Sequence, residues 1–231
     1  RRLDLVTGGV TTVRADANMA NGMTLDRDGA LLVCEQGTLW EPAAITRVDR
    51  RTGAAETVVD AWLGLRLNSP NDVVVAADGA IWFTDPSYGW LQGFRPPPDL
   101  GDYVLRHDRR SGATTVVADT FDKPNGLAFS PGEDVLYVGD SERDHIKAFD
   151  VHAGRLTRER VFAEIAPGHP DGLKVDAAGR VYSTAGDGIH IFSAAGRRIG
   201  EIPLPGAVNL TLGPGVVLVT ADDAIWAAEL D

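Results

Sequence analysis

Short apolar runs recur along the whole chain in pairs, and each pair is joined by a short turn that contains glycine. One type of pair starts at an amide or carboxylate side chain, passes through a turn such as Asp28-Gly29 or Asp78-Gly79, and ends in a second apolar run. Apolar runs on both sides of an Asp-Gly turn predict β-hairpins. Five such inner hairpins begin at Asn21, Asn71, Asn125, Asp171 and Asn209, at intervals of 38 to 54 residues.

A second type of hairpin has strands that alternate apolar and polar residues, as in the run Ile45-Thr46-Arg47-Val48. This alternation predicts half-buried strands. Two hairpins per unit, with a period of about 40–50 residues, are typical of a β-propeller blade. Six segments fit this outer type, and they start at Leu3, Ile45, Tyr103, His145, Ile189 and Ala224.

The two types of hairpin therefore differ in number, with five inner copies against six outer ones. We interpret residues 1–231 as a single all-β domain, a six-bladed β-propeller whose first inner hairpin is missing from the sequence. A five-bladed ring with an additional N-terminal ribbon is the alternative. No helix-period segment of useful length competes with the strands.

Composition and charge exclude several classes of partner. The formal net charge is −11, whereas nucleic-acid binding needs clustered Lys and Arg. Cys34 is the single cysteine, which excludes an intrachain disulfide and a cysteine-rich zinc site. No apolar run approaches the length of a membrane span, and no signal-peptide pattern opens the chain. We expect a cytoplasmic protein without nucleic-acid or membrane partners, as a monomer or a dimer, although a chain that starts at Arg1 without methionine leaves an earlier signal peptide open.

The polar residues that start the inner strands are the first candidate site. The innermost strands of a propeller surround a central channel, so residues at equivalent strand starts face each other across the axis. Of the five, Asp171 alone is charged. Carboxylate and amide oxygens suit hard divalent cations such as Ca²⁺, Mg²⁺ or Mn²⁺. Asn and Asp also favour turns, which is the simpler explanation for any single one of them, but five in register favour a metal site.

Four segments carry more specific patterns. They are Arg66-Leu67-Asn68-Ser69-Pro70-Asn71-Asp72-Val73-Val74, Trp82-Phe83-Thr84-Asp85-Pro86-Ser87-Tyr88-Gly89, Lys123-Pro124-Asn125-Gly126-Leu127-Ala128-Phe129-Ser130 and His169-Pro170-Asp171-Gly172. They lie between residues 66 and 172 and together resemble the gluconolactonase / senescence-marker-protein (regucalcin) family of six-bladed propeller lactonases. The resemblance implies hydrolysis of a sugar lactone such as gluconolactone.

The resemblance also implies one divalent metal in the channel, with Ca²⁺ in first place and Zn²⁺, Mn²⁺ or Mg²⁺ as alternatives. Asn125 and Asp171 match the family's Asn and Asp ligands, and Asn71 matches an Asn beside the metal that contacts substrate or water. The family's third ligand is a Glu in a Glu-Gly-Pro-x-Trp-like motif on the first inner strand, which this sequence lacks. Gln36 is a second departure, because many bacterial gluconolactonases have His there.

Lactone hydrolysis would follow from these parts. The metal would polarise the carbonyl and stabilise the oxyanion, and Asp171 is the candidate general base. Arg66 would contact hydroxyls or a carboxylate of a sugar acid, with a solvated loop cation as the equally simple explanation. The full set of candidate substrate-binding residues is Asn71, Asn21, Arg66, Tyr88 and Asn209.

Two alternatives to a lactonase remain. The first is a non-catalytic or catalytically impaired binding propeller, which the missing Glu favours. The second keeps the fold and the metal but acts on other esters or on phosphotriesters.

Overall fold

An N-terminal ribbon precedes the repeats in the structure, a computed structural model that describes residues 1–222 and 224–230. Its two antiparallel strands are β1 (Arg2–Leu3) and β2 (Val10–Thr11). The segment after the ribbon is held by the buried carboxylate of Glu35, which accepts hydrogen bonds from Arg14 Nη1 and, at 3.2 Å, from Asn18 Nδ2. The ribbon is therefore anchored to the sheet that follows it.

Five antiparallel sheets follow in chain order, and in each of them consecutive strands pair as a meander. The first blade contains β3 (Ala20–Leu25), β4 (Leu31–Glu35), β5 (Ala44–Val48) and β6 (Ala55–Val59). A two-stranded hairpin, β7 (Ala61–Trp62) with β8 (Leu65–Arg66), leads to the second blade. The second blade contains β9 (Val73–Val75), β10 (Ile81–Asp85), the short helix α1 (Tyr88–Leu91), β11 (Tyr103–His107) and β12 (Thr114–Ala118).

The remaining three blades complete the array. The third contains β13 (Pro124–Phe129), β14 (Val135–Asp140), a 3₁₀ turn (Ser141–Arg143), β15 (His145–His152) and β16 (Arg155–Glu164). The fourth contains β17 (Leu173–Val175), β18 (Val181–Ala185), β19 (Gly188–Phe192) and β20 (Arg198–Pro203). The fifth contains β21 (Ala207–Gly213), β22 (Val216–Ala221) and β23 (Ala224–Glu229). Over the described residues, no helix is long and apolar enough to cross a membrane.

The predicted all-β propeller architecture is confirmed, including the inner hairpins. Gly29 and Gly79 have φ values of 80° and 83° at the predicted turns, a region that glycine enters without steric cost. The count of six blades is wrong, because the described residues form five blades and a ribbon. The apolar pattern that starts at Leu3 predicts an outer hairpin, but without inner strands to pair with, this segment forms only β1 and β2.

The hydrophobic core is divided into four clusters, and each lies between two neighbouring blades. Leu32 and Ile45 of the first blade pack with Val73 and Phe83 of the second, and equivalent clusters join the second blade to the third, the third to the fourth and the fourth to the fifth. Cys34 is buried in the first cluster, where burial raises the pKa of its thiol well above the usual value. This agrees with an inert core thiol.

Candidate active site

The starts of the inner strands lie side by side because hydrogen bonds join each blade to the next. The backbone N–H of Gly22 donates to the carbonyl of Asn71 (2.8 Å), and that of Gly126 donates to the carbonyl of Asp171 (2.9 Å). Between the second and third blades, the Thr84 hydroxyl donates to the carbonyl of Asn125 (2.8 Å). The blades thus bring Asn21, Asn71, Asn125 and Asp171 together as successive positions around one end of the channel.

Asn209 does not share this register. It pairs with Thr220, and the backbone N–H of Gly172 donates to Val208 rather than to Asn209. Val208 is therefore the counterpart of Asp171, and Asn209 is the counterpart of Gly172. Asn209 directly precedes the buried Leu210, whereas Asn125 and Asp171 lie two residues before Leu127 and Leu173, so the expected set of five residues in register is wrong at this point.

A hydrogen-bond network fixes the Asn125 side chain. Its Nδ2 donates to Ser141 Oγ at 3.0 Å and lies 3.5 Å from the hydroxyl of Tyr88. Ser141 in turn donates to the carbonyl of Pro170 (2.7 Å), so it can only accept from Asn125. Among the described residues no hydrogen-bond donor is assigned to Asn125 Oδ1, and this oxygen is available to a ligand.

Asp171 has a carboxyl group that is destabilised in its charged form. Burial raises its pKa to about 6, and the nearby Asp72 acts in the same direction, while His169, Asn125 and Lys174 oppose the rise. Lys174 Nζ lies 3.4 Å from Oδ2 of Asp72. Asp72 directly precedes β9 and is 102 residues away in the sequence. The pair spans the channel between the second and fourth blades and partly neutralises the charge beneath Asp171.

The donor set fits a hard divalent cation. Burial disfavours the charged form of the Asp171 carboxyl group, and the buried side chains of Asn125 and Asn71, at neighbouring strand starts, carry neutral amide oxygens. Ca²⁺ accepts such mixtures of carboxylate and amide oxygens. Over residues 1–222 and 224–230 no group of three His, Cys, Asp or Glu side chains converges, so amide oxygens would have to complete a cation site here.

The predicted substrate-binding residues separate into two groups. Asn21 and Asn209 line one cavity of about 470 Å³ together with Asp171, and Tyr88 approaches the same site from α1 through Asn125. Arg66 does not line this cavity. It lies exposed on β8 and its Nε donates to Asp99 at 3.0 Å, which supports its role as a loop cation.

Arg95 organises the loops around the channel mouth, a role that no sequence pattern indicates. Its buried guanidinium donates to the carbonyls of Thr38 (2.9 Å), Leu67 (3.0 Å) and Asn68 (2.9 Å). Thr38 belongs to the first blade, whereas Leu67 and Asn68 precede the strand that starts at Asn71. Arg95 therefore connects the loop between β10 and β11 to both of its neighbours and holds this loop as an ordered rim.

Asp85 holds the segment before Asn71, which Arg95 also contacts. It is fully buried, and its two oxygens accept the backbone N–H groups of Asn68 (2.8 Å) and Ser69 (2.9 Å). Burial raises the pKa of Asp85 to about 7; both hydrogen bonds oppose the rise, Asp102 adds to it and Arg95 opposes it.

This raised pKa predicts the pH dependence of stability. Below pH 3.8 Asp85 is protonated in both states, and as the pH rises toward 7 the unfolded chain releases a proton that the folded chain keeps. We expect the free energy of unfolding to decrease over this range and to level off above it. Urea titrations at several pH values would measure this slope, and Asp85→Asn, which cannot titrate, should have a shallower one. Equal slopes in the two proteins would contradict the assignment.

Two hydroxyl groups at the site were also missed. Thr84 Oγ1 accepts from the backbone N–H of Asp72, and Thr184 Oγ1 accepts from that of Asp171, both at 3.0 Å. A signal was present, because three of the five inner hairpins end on threonine. Ser141 follows the third inner hairpin without any such repeat, so no pattern could have indicated it.

Comparison with known proteins identifies the family. The chain matches the family described as SMP-30/Gluconolactonase/LRE-like region over residues 1–215. The chain belongs to this family. The resemblance inferred from the four motifs is therefore confirmed.

Several proteins of known name or structure are similar to this chain. A gluconolactonase from Zymomonas mobilis is 33% identical over 198 residues, which cover 79% of this chain and 54% of that protein. The structure of a gluconolactonase from Xanthomonas campestris superposes with a TM-score of 0.88 at 38% identity, covering 95% of this chain and 74% of the other. The calcium-binding regucalcin from Agrobacterium tumefaciens has a TM-score of 0.75 at 22% identity, covering 94% and 72%, and shows the fold alone. The chain spans about half the length of the first curated relatives it matches.

Proposed function

We propose that this protein is a metal-dependent lactonase that hydrolyses the ester bond of a sugar lactone. The observation that carries the proposal is the position of Asp171, a half-buried carboxyl group beside Asn125 and the channel. Named relatives support the substrate class, since they include a gluconolactonase and a pentonolactonase. Family membership alone would not define the chemistry.

Asp171, Asn125 and Asn71 are the residues that would hold the cation, with Ca²⁺ favoured by their all-oxygen donor set. A divalent cation bound there would supply Lewis-acid polarisation of the lactone carbonyl. A carboxyl group with a pKa of about 6 is ionised at neutral pH, so Asp171 can also take a proton from the attacking water.

The neighbouring side chains would orient the sugar. The amides of Asn21 and Asn209 line the cavity that contains Asp171, and an amide can both donate to and accept from sugar hydroxyls. The Tyr88 hydroxyl beside Asn125 adds a further polar group at the rim. Apolar side chains also line this cavity. They would exclude water from one face of the bound sugar ring.

A lactone panel would test this proposal. We expect the chain to hydrolyse gluconolactone faster than the spontaneous reaction, to lose this activity with a chelator and to regain it with one of Ca²⁺, Zn²⁺, Mn²⁺ or Mg²⁺. Proton release measured at constant pH, corrected for spontaneous opening, gives the rate. Aryl esters and phosphotriesters in the same panel would reveal the related hydrolase activities. Hydrolysis at an unchanged rate in the presence of the chelator would contradict the metal-dependent mechanism.

A propeller that binds sugar lactones without turnover is the second candidate. It is favoured by the cavity beside Asp171, which opens between the first and fifth blades instead of being enclosed by a continuous ring. Calorimetric titration with gluconolactone would show binding in that case, while the rate of proton release would equal the spontaneous rate.

A further inference from the structure

Tyr88 carries a hydroxyl group whose hydrogen has no partner in the protein. The phenolic oxygen lies 3.5 Å from Nδ2 of Asn125. An amide nitrogen carries only hydrogens, so it can donate to the hydroxyl group but cannot accept from it. Over residues 1–222 and 224–230 no acceptor is assigned to the Tyr88 O–H. Its hydrogen is therefore available to a ligand that binds beside Asn125.

Side chains from other segments hold the backbone on both sides of Tyr88. The N–H of Ser87 donates to Asp102 Oδ1 (2.6 Å), and the N–H of Gly89 donates to Ser69 Oγ (2.9 Å). Ser69 is buried in the segment that precedes β9. The first residues of α1 are thus fixed to the second blade, and the Tyr88 hydroxyl is positioned before a ligand binds.

The Tyr88 hydroxyl keeps its proton at neutral pH. Burial raises the pKa of Tyr88 above its usual value, and the carboxylate of Asp171 adds to the rise, while Ser141 and Asn125 oppose it. The group is therefore a neutral hydrogen-bond donor, close enough to Asp171 to respond to its charge.

Two other donors near the site are already engaged by the backbone. The Ser141 hydroxyl donates to the carbonyl of Pro170 (2.7 Å), and Lys174 Nζ donates to the carbonyl of Leu173 (2.9 Å). A substrate could recruit either donor only in competition with these bonds. The Tyr88 hydroxyl differs from both, because a substrate would replace only water as its acceptor.

Lactone hydrolysis places negative charge on two oxygens in succession. The carbonyl oxygen becomes charged when water adds, and in the proposed function a cation stabilises that charge. The ring oxygen becomes charged when its bond to the carbonyl carbon breaks, and it leaves as the alkoxide of an alcohol. A positioned hydrogen-bond donor lowers the energy of such a developing charge. The residues assigned so far provide no donor for the ring oxygen.

We propose that Tyr88 is a catalytic residue that donates a hydrogen bond to the ring oxygen of the lactone while the ester bond breaks. This role rests on the proposed function. Asp171 takes one proton from the attacking water, and the remaining hydroxide forms the new bond to the carbonyl carbon. The electron pair of the broken bond goes to the ring oxygen, which then takes the proton from Asp171. Tyr88 keeps its own proton, and the product is the open-chain hydroxy acid.

A change of leaving group tests this role. In the thiolactone analogue of gluconolactone, sulfur replaces the ring oxygen and the leaving group is a thiolate. A thiol has a pKa of about 8.5, far below that of an alcohol, so its departure depends much less on a donor. Tyr88→Phe should lower kcat for gluconolactone by about 10²-fold, the effect of removing one such donor, and leave KM unchanged. The rate with the thiolactone should change little. Proton release at constant pH measures both.

Two further variants make the test specific. Tyr137→Phe is the matched control, because Tyr137 lies in the core between the third and fourth blades, with its ring 4.7 Å from that of Phe162. It should leave both rates unchanged. Ser69→Ala removes the acceptor of the Gly89 N–H and should lower the gluconolactone rate selectively, by about tenfold. Urea unfolding midpoints show that each variant is folded.

Two results would overturn this role while the proposed function holds. The first is an unchanged gluconolactone rate in Tyr88→Phe. The second is an equal loss with both substrates, which would mean that Tyr88 acts on the carbonyl oxygen or only supports the shape of the site. An original protein that hydrolyses gluconolactone no faster than the spontaneous reaction would contradict the proposed function itself, and this role with it.

Discussion

Asp171→Asn is expected to reduce lactone hydrolysis by about 10²–10⁴-fold, the range that loss of a general base produces. The variant keeps the shape of the side chain but removes the carboxylate beside Asn125. It also removes the carboxylate that is proposed to hold a cation, so calorimetric titration with Ca²⁺ should show no binding. The fold should survive, because the bond to the third blade uses the backbone carbonyl of residue 171, and its backbone N–H bonds to Thr184 within the fourth blade.

Asp176→Asn is the matched control for this change. It removes a carboxylate just beyond the far end of β17, where Asp176 pairs with Arg180 at 2.6 Å. We expect a slightly lower unfolding midpoint and unchanged hydrolysis. If Asp171→Asn were as active as Asp176→Asn, the assignment of Asp171 would be wrong.

Gly126→Ala is expected to have the largest effect on stability. A Cβ at this position would lie 2.2 Å from the carbonyl oxygen of Asp171 and 2.7 Å from the amide nitrogen of Leu173. Both are backbone atoms, so neither can turn away, and the third and fourth blades would have to separate. We expect a loss of about 3 kcal/mol or more in the free energy of unfolding, from overpacking and the lost hydrogen bond.

Gly200→Ala controls for the general effect of replacing glycine in a strand. A Cβ there would meet Ile191 at 3.6 Å, an ordinary contact, and alanine restricts the unfolded chain more than glycine. Its unfolding midpoint in urea should equal or exceed that of the original protein. Similar midpoints for the two variants would show that the close approach at Gly126 is relieved at little cost.

Local sequence patterns predicted the parts of the structure that depend on local geometry. The Asp-Gly turns, the inner hairpins and the positions of Asn71, Asn125 and Asp171 all follow from residues that are close in sequence. The prediction failed at Asn209, which directly precedes the buried Leu210, whereas Asn125 lies two residues before its counterpart, Leu127. It also failed to separate a blade from a ribbon at Leu3, since an isolated strand pair carries the same signal.

Contacts between distant segments were beyond the reach of such patterns. Arg95 bonds to Thr38, which is 57 residues away, and Asp72 pairs with Lys174. Each of these residues looks like an ordinary loop or strand position in isolation. Their roles depend on the order of the blades around the channel, which brings the segments together.

The opening between the first and fifth blades gives the array two ends. In energetic terms the protein behaves as a row of five units with nearest-neighbour contacts, so its terminal units have one stabilising neighbour and its interior units have two. Asn71, Asn125 and Asp171 belong to the second, third and fourth blades, which are the three interior units. The proposed chemistry is thus located in the part of the row that is protected from fraying at either end.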